Sequence, residues 1–421
     1  MKRLVMLICF VAASISVYAQ QSVLDSLISE AVRVSPNLKM LEAKREVSQS
    51  KIAQVSNLPD PMLTLGLMNL PTNSFSFTQE PMTGKVVGLS QAVPFPGKLN
   101  EAEKVHAKDV DINQQEIDDA VNEIKNDVRK TYYDLRFVRE AIKITRESKN
   151  NLEQIAEVVR TKYAVSKASQ QNLIQIEVEL TKIKDKIEEL QGSEKSNLAV
   201  LNSYLLRDSL TPIRTDSTPS LASQDIDVAK LESLAKQNRP FLKGIELAKE
   251  KSVLKKNLAE YEFYPNFNFT IQYSQRDKIA ATNTPLHNFL SFVVGINLPL
   301  NYGGKKTAAV EEAQLTQKMF GDQYNAALQV LDKNFGMSVS KLNELKEREK
   351  LIREGLLPQA EQSLKTALVN YQVGDIDFIN VLDAQNKLYD IETNLYKIRT
   401  MYFKELSQLE FLTGTNVYKL K

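Results

Sequence analysis

The side chains best able to do chemistry are few and scattered in this sequence. It holds two histidines, His106 and His287, far apart along the chain, and one cysteine, Cys9. A structural or catalytic zinc site needs such ligands closely spaced, so no resident metal and no cofactor is expected. Met62, Met68 and Met82 could form a soft-metal ladder, but methionine more often fills gaps in a wall or loop. Gly303-Gly304-Lys305 is too short for a phosphate-cradling loop, and no nucleophile sits in a recognisable motif. Acidic and basic residues are abundant, 52 and 54 of them. They recur mostly as Glu/Lys partners on helix faces, which is ordinary solvation. No catalytic residue is expected.

The charge balance narrows the field further. A net charge of +2 offers no concentrated basic patch for nucleic acid. The N-terminus, MKRLVMLICFVAASISVYAQQ, has a positive start at Lys2 and Arg3, an apolar core from Leu4 to Val17, and small residues near Ala19. It reads as an export signal over residues 1–19. Cys9 lies inside that core after the bulky Ile8, so it reads as an apolar filler rather than a lipid-attachment site. No other stretch approaches the 18 or so apolar residues a membrane helix needs.

The elements come in two sets. SPNLKMLEAK at 35–44 is echoed by RPFLKGIELAK at 239–249, and VVG at 86–88 by VVG at 293–295. Further along, YAVSKASQQNLIQIEVEL at 163–180 is echoed by YQVGDIDFINVLDAQNKL at 371–388. The offset drifts only slightly, so an entire unit is duplicated: 20–205, a Pro-containing linker at 206–225, then 226–421. Each unit predicts a helix (about 22–56 and 226–262), two short strands, a very long helix, a turn and a returning helix.

Hydrophobic residues at 3–4 spacing predict coiled-coil packing. The stripe runs Ile117, Val121, Ile124, Val128, Thr131, Leu135, Val138, Ile142 in the first unit and Tyr324, Leu328, Leu331, Phe335, Ser338, Leu342, Leu345 in the second, each with a small hydroxyl residue at the same step. The returning helices carry Leu173, Ile176, Leu180, Ile183 and, in register, Val381, Ala384, Leu388, Ile391. From Leu99 to Tyr163 the first long helix would extend roughly 95 Å at ~1.5 Å per residue. That length suits a fibre, a scaffold or a tube.

Strands are expected at about 61–70, 84–93, 265–275 and 288–299. NFNFTIQYS alternates without a break, with Phe267, Phe269, Ile271 and Tyr273 on one face. Leu290, Phe292, Val294, Ile296 and Leu298 do the same, as do Leu63, Leu65 and Leu67. Such strands fit a lipid-facing β-barrel wall or an antiparallel sheet over a soluble core. Four strands cannot close a membrane barrel, and open edges in hydrocarbon are prohibitive. If these strands cross a bilayer, several copies must share one barrel.

LPDPMLTLGL (58–67), QAVPFPGKL (91–99), YQVGDIDFINVLDAQNKLYD (371–390) and LEFLTGT, set in the duplicated order, resemble the TolC-type outer-membrane efflux channels, particularly the heavy-metal and multidrug branch. The resemblance implies a homotrimer with a 12-stranded β-barrel in the outer membrane, continued by a long α-helical coiled-coil barrel in the periplasm. It also implies docking to a periplasmic adaptor and an inner-membrane pump. Pro94, Pro96 and Gly97, and in the second unit Gly303 and Gly304, become the strand-to-helix turns, with Lys98 a cation snorkelling at the lipid boundary. Helix tips near Ser166 and Gly374 become adaptor contacts. Asp383 and Asn380 map to pore-narrowing rings, Tyr371 to a closed-state latch, and Gln171 and Asn172 to its partners. Here the chain departs from the family pattern, since Asn380 and Asn172 replace acids and Ile376 replaces an arginine. The implied function is a passive exit duct for metal cations or drugs. The alternatives are a type I secretion exit channel and a periplasmic coiled-coil scaffold or adaptor.

Overall fold

A computed structural model of the chain describes residues 22–217, 221 and 227–417. The expected export signal, Cys9 and Pro219 lie outside the described residues. Two helices open the first unit, α1 (Val23–Val34) and α2 (Pro36–Ser56), where a single helix over 22–56 is expected. Pro36 explains the break, because proline crowds the preceding residue out of the helical region. Ser35 accordingly has ψ 119°, while Pro36 takes the first helical position, where its missing N–H costs nothing. The second unit repeats the device. α5 (Val228–Asn238) and α6 (Pro240–Glu260) part at Arg239, whose ψ is 114°.

The four strands are β1 (Met62–Met68), β2 (Gly84–Val93), β3 (Phe267–Gln275) and β4 (Phe289–Ile296). They form one antiparallel sheet in the order β1-β2-β3-β4. Its register stacks the alternating patterns into rows. Leu65, Val87, Tyr273 and Leu290 stand side by side, as do Leu63, Leu89, Ile271 and Phe292, and all eight are exposed. The intervening rows carry the other face, for example Thr64, Gly88, Gln272 and Ser291. Strand alternation has gathered these leucines, valines and aromatic residues on one face, opposite a face that is polar at its centre.

The long helices are α3 (Lys98–Ala164), α4 (Gln170–Tyr204), α7 (Lys305–Leu351), α8 (Leu357–Val373) and α9 (Phe378–Thr413). Between α7 and α8 the expected single helix widens into a π turn at Ile352–Leu356. Pro358 accounts for it. Proline lacks the N–H for the α-helical bond and its ring collides with the carbonyl four residues back. The wider turn lets the Leu357 N–H reach the Ile352 carbonyl instead, a common way to absorb such a residue.

The chain forms two compact units. Among the described residues, one comprises 40–117 and 241–327, with the sheet; the other comprises 22–39, 118–217, 227–240 and 328–417. In the helical unit, Leu27, Ile28 and Ala31 of α1 pack on Val128, Tyr132 and Leu135 of α3, with Leu201 and Leu205. Ile213 joins this cluster, so the first part of the expected linker is docked rather than free. The Tyr132 hydroxyl accepts the Asp216 N–H at 2.9 Å, and Arg139 donates to the Ile213 carbonyl at 2.7 Å. Further along the bundle, Leu152, Ala156 and Val159 of α3 and Ile176 and Leu180 of α4 share a core with Leu364, Val381, Ala384 and Leu388 of α8 and α9.

Several buried or half-buried charges in this bundle are paired. The buried Glu349 accepts from Arg399 at 2.7 Å and from Arg353 at 3.3 Å. Arg129 meets Glu410 at 2.5 Å. Glu392 differs: burial raises its pKa above the ordinary carboxylate value, and the charges of Glu147 and Glu361 push it the same way. A carboxyl that holds its proton more tightly folded than unfolded costs stability once pH rises above its unfolded pKa. Glu392→Gln is therefore expected to raise the melting temperature of the helical part at pH 7. The gain should shrink as pH falls toward about 4, where the wild-type carboxyl is itself protonated. Thermal denaturation followed by circular dichroism at both pH values checks this, and a pH-independent effect would contradict it.

Candidate functional site: strand-to-helix turns and hairpin tips

Where β2 ends, the chain turns through Pro94, Phe95, Pro96 and Gly97 into α3. The prolines offer no N–H to a neighbouring strand, which closes the ladder. The Phe95 N–H is taken instead by the Asn266 side-chain oxygen at 3.0 Å, and the Phe95 ring stacks on Tyr264 with centroids 4.6 Å apart. Gly97 has φ +91°, and a Cβ there would sit 2.7 Å from the Tyr261 hydroxyl. Glycine is needed both for conformation and for space. Lys98 pairs with Glu262 at 2.8 Å and its side chain is only 18% exposed. Glu262 lies in the short helical turn Tyr261–Phe263 that leads into β3, so Lys98 ties the exit from β2 to the entry of β3.

The second strand-to-helix turn follows β4. Gly303 and Gly304 have φ +61° and +73°, and added Cβ atoms would meet nothing within 4 Å. These glycines serve conformation alone. Asn301 secures the start of α7, accepting the Lys306 N–H at 2.9 Å and donating to Thr307 at 2.7 Å.

At the hairpin tips, Ser166 is exposed with φ +58°. Its N–H closes on the Tyr163 carbonyl at 2.9 Å. Ser169 caps α4 by accepting the Asn172 N–H. Gly374 ends α8 with φ +96°, its N–H reaching the Asn370 carbonyl at 3.0 Å, the left-handed helix ending that favours glycine. Tyr371 is buried beside Phe378, with ring centroids 5.5 Å apart. The Lys162 ammonium lies 4.5 Å from the Tyr371 ring and donates to the Tyr371 carbonyl. Burial pushes the Tyr371 phenol above its ordinary pKa, and Asn172 pulls partly the other way. Asn172 thus faces Tyr371, yet the hydroxyl completes no hydrogen bond of ordinary geometry. Gln171 is exposed.

Asp383 and Asn380 are exposed on α9. The Asn380 amide turns back to the Asp377 carbonyl at 3.3 Å. Asp383 pairs with Lys387, one turn on, at 2.6 Å. The Asp383 carboxylate therefore has a cation beside it. The spacing in Asp-Ala-Gln-Asn-Lys could have shown this, since residues four apart meet on a helix. Lys162 left no such signal, because its partner lies 209 positions away. Among the described residues no cluster of three or more His, Cys, Asp or Glu could hold a metal ion, and no helix is long and apolar enough to cross a membrane. Met62 and Met68 sit at opposite ends of β1.

The two turns predict different costs. Gly303→Ala should cost about 1–2 kcal/mol, the penalty of a left-handed residue. Gly97→Ala should cost more, since Tyr261 must also move. Adding Tyr261→Phe to Gly97→Ala should recover part of the thermal stability measured in detergent. Equal destabilisation by the two single variants would contradict the packing role of Gly97.

Comparison with known proteins follows the same geometry. The sequence profile described as outer membrane efflux protein matches residues 27–205 and 231–415. The chain is 25% identical over 240 residues to outer membrane protein TolC of Vibrio cholerae, which covers 56% of this chain and about half, 52%, of that relative. It is 19% identical over 407 residues to the cobalt-zinc-cadmium resistance protein CzcC of Cupriavidus metallidurans, covering 93% of this chain and 90% of that one. The crystal structure of the outer membrane protein VceC from Vibrio cholerae has the same fold, with a TM-score of 0.77 and 18% identity over 93% of this chain and 96% of that one. With both duplicated halves matched, the chain belongs to the outer membrane efflux protein family: a channel protein of the outer membrane, not an enzyme, with its helical part in the periplasm.

Proposed function

We propose that three copies of this chain close a 12-stranded barrel and form the passive exit duct of a tripartite efflux system. Substrates would be delivered by an inner-membrane pump through a periplasmic adaptor. One observation carries the assembly: a sheet of four strands with a continuous exposed apolar face and unpaired edges at β1 and β4. In lipid the face is stable but the edges are not, since every backbone group there must find a partner within protein. Pairing β4 of one copy with β1 of the next removes both edges. Three copies supply twelve strands, above the minimum of about eight for a spanning barrel.

The similarity to CzcC over nearly its whole length supports metal cations as cargo, with drugs the other class the family resemblance implies. The tip residues Ser166 and Gly374 are the proposed adaptor contacts. Tyr371, with Asn172 and Gln171 nearby in sequence or space, is the proposed element that opens or closes the tip. Asp383 and Asn380 are the proposed pore-lining positions.

Selectivity should then depend on both members of the Asp383–Lys387 pair. Rings of fixed charge set which ions enter a pore, and a paired ring is close to neutral. In planar bilayers Asp383→Asn should shift the reversal potential toward anions by leaving Lys387 alone, and Lys387→Gln should shift it toward cations. If neither variant moves it, these residues do not line the conducting path. The purified protein should also run as a heat-modifiable trimer. A strain lacking it should become sensitive to cobalt, zinc or cadmium, and unchanged tolerance would argue against the metal reading.

A further inference from the structure

The two strand-to-helix turns are repeat counterparts, yet only the first is completed by contacts inside the chain. At the alignment that sets Gly97-Lys98 on Gly304-Lys305, Phe95 corresponds to Tyr302 and Val93 to Leu300. The first turn is closed: Phe95 stacks on Tyr264, and Lys98 is paired with Glu262. Its counterparts in the second turn are open. Tyr302 is 81% exposed, Leu300 54% and Leu298 74%. Lys305 is exposed, and the Lys306 ammonium lies 5.8 Å from the Phe263 ring. Among the described residues neither lysine has a carboxylate partner. Their own helix supplies none, since the positions three and four residues on are Ala308, Ala309 and Val310. A tyrosine, two leucines and two uncompensated cations therefore share one open turn.

We propose that this turn binds an anionic phospholipid of the periplasmic leaflet. Lys305 and Lys306 take the phosphate, Tyr302 lies at headgroup depth, and the acyl chains run along Leu300 and Leu298 onto the sheet. The site rests on the barrel reading above and adds a lipid class to it. Continuity argues for a lipid. Leu298 prolongs the alternation of Leu290, Phe292, Val294 and Ile296, all of them exposed. The patch is thus the end of the sheet's apolar face from which α7 leaves toward the periplasm. Charge argues for an anionic one. Cations just outside hydrocarbon attract negatively charged headgroups, and a tyrosine, apolar along its ring and polar at its tip, suits the same depth. A neutral lipid would leave both cations uncompensated, and a soluble anion would leave the leucines in water. Room is available, because added Cβ atoms at Gly303 and Gly304 would meet nothing within 4 Å. The opposite rim of the sheet differs, since Lys85 there is already neutralised by Asp277 at 3.1 Å.

The chain has no tryptophan, so Tyr302→Trp gives the full-length protein a single fluorescent reporter at the site. The variant is reconstituted into phosphatidylcholine vesicles containing phosphatidylglycerol, with brominated acyl chains on one lipid or the other, and quenching is measured. The expected result is a preference for phosphatidylglycerol that falls about fivefold for each of Lys305→Gln and Lys306→Gln and collapses at high salt. Lys44→Gln, which removes a lysine already paired with Glu116, should leave the preference unchanged. Protein with Tyr302 intact gives an independent check. Native mass measurement should find phosphatidylglycerol retained on it and lost from the Lys305→Gln/Lys306→Gln double variant. Equal quenching by the two lipids, or equal retention by the two proteins, overturns the anionic site. So does a heat-modifiable trimer in the bilayer whose tryptophan neither lipid quenches. A neighbouring copy would then cover the turn, with the exposed Asp60 as its available acid, and the barrel reading would survive. A protein that stays monomeric and does not enter the vesicles removes the barrel reading and this site together.

Discussion

In hydrocarbon, the outer side of a strand has nothing to bond with except another strand. The sheet ends in two such sides, β1 and β4, and carries rows of exposed apolar side chains on one face. That pair of facts governs the rest of the molecule. A single chain cannot bury those edges with only four strands, so the sheet makes sense as part of a larger closed wall. Lateral register matters more than strand length here, because a one-residue slip of β2 against β3 would send Val87 and Leu89 to the polar face.

A wall of this kind must also be joined to helices without leaving backbone groups stranded. The two turns meet the requirement by different chemistry. After β2, prolines end the ladder and an aromatic group formed by Phe95, Tyr261 and Tyr264 fixes the exit, with Lys98–Glu262 beside it. After β4, two glycines and the Asn301 side chain do the work in open space. Duplicated sequence thus gave rise to one turn held by packing and one held by conformation and a local hydrogen-bonded cap.

The helical unit shows the same divergence after duplication. Thr131 and Ser338 occupy equivalent steps of the coiled-coil stripe, but Thr131 bonds its own helix through the Asp127 carbonyl while Ser338 donates to Glu405 across to α9. Pro358 inserts a π turn into the second long helix only. At the tips, Tyr371 is enclosed and Tyr163 is open. Equivalent positions are buried inside the chain in one repeat and exposed in the other.

Much of this was readable from residue order. Periodicity reports local geometry directly, so the alternation around Phe267 to Tyr273, the 3–4 stripes and the duplicated blocks determined strands, long helices and a two-unit plan. Tertiary structure decided what those patterns could not encode. The splitting at Pro36 and Pro240 depended on a steric effect that an apolar stripe masks. The enclosure of Tyr371 by Lys162, and the pairing of Lys98 with Glu262, join residues from different repeats. Such contacts leave no periodic trace, because they depend on where helices and turns meet in space rather than on spacing along either one. The sequence by itself determined which faces are apolar; only the folded chain decided which of those faces are already covered.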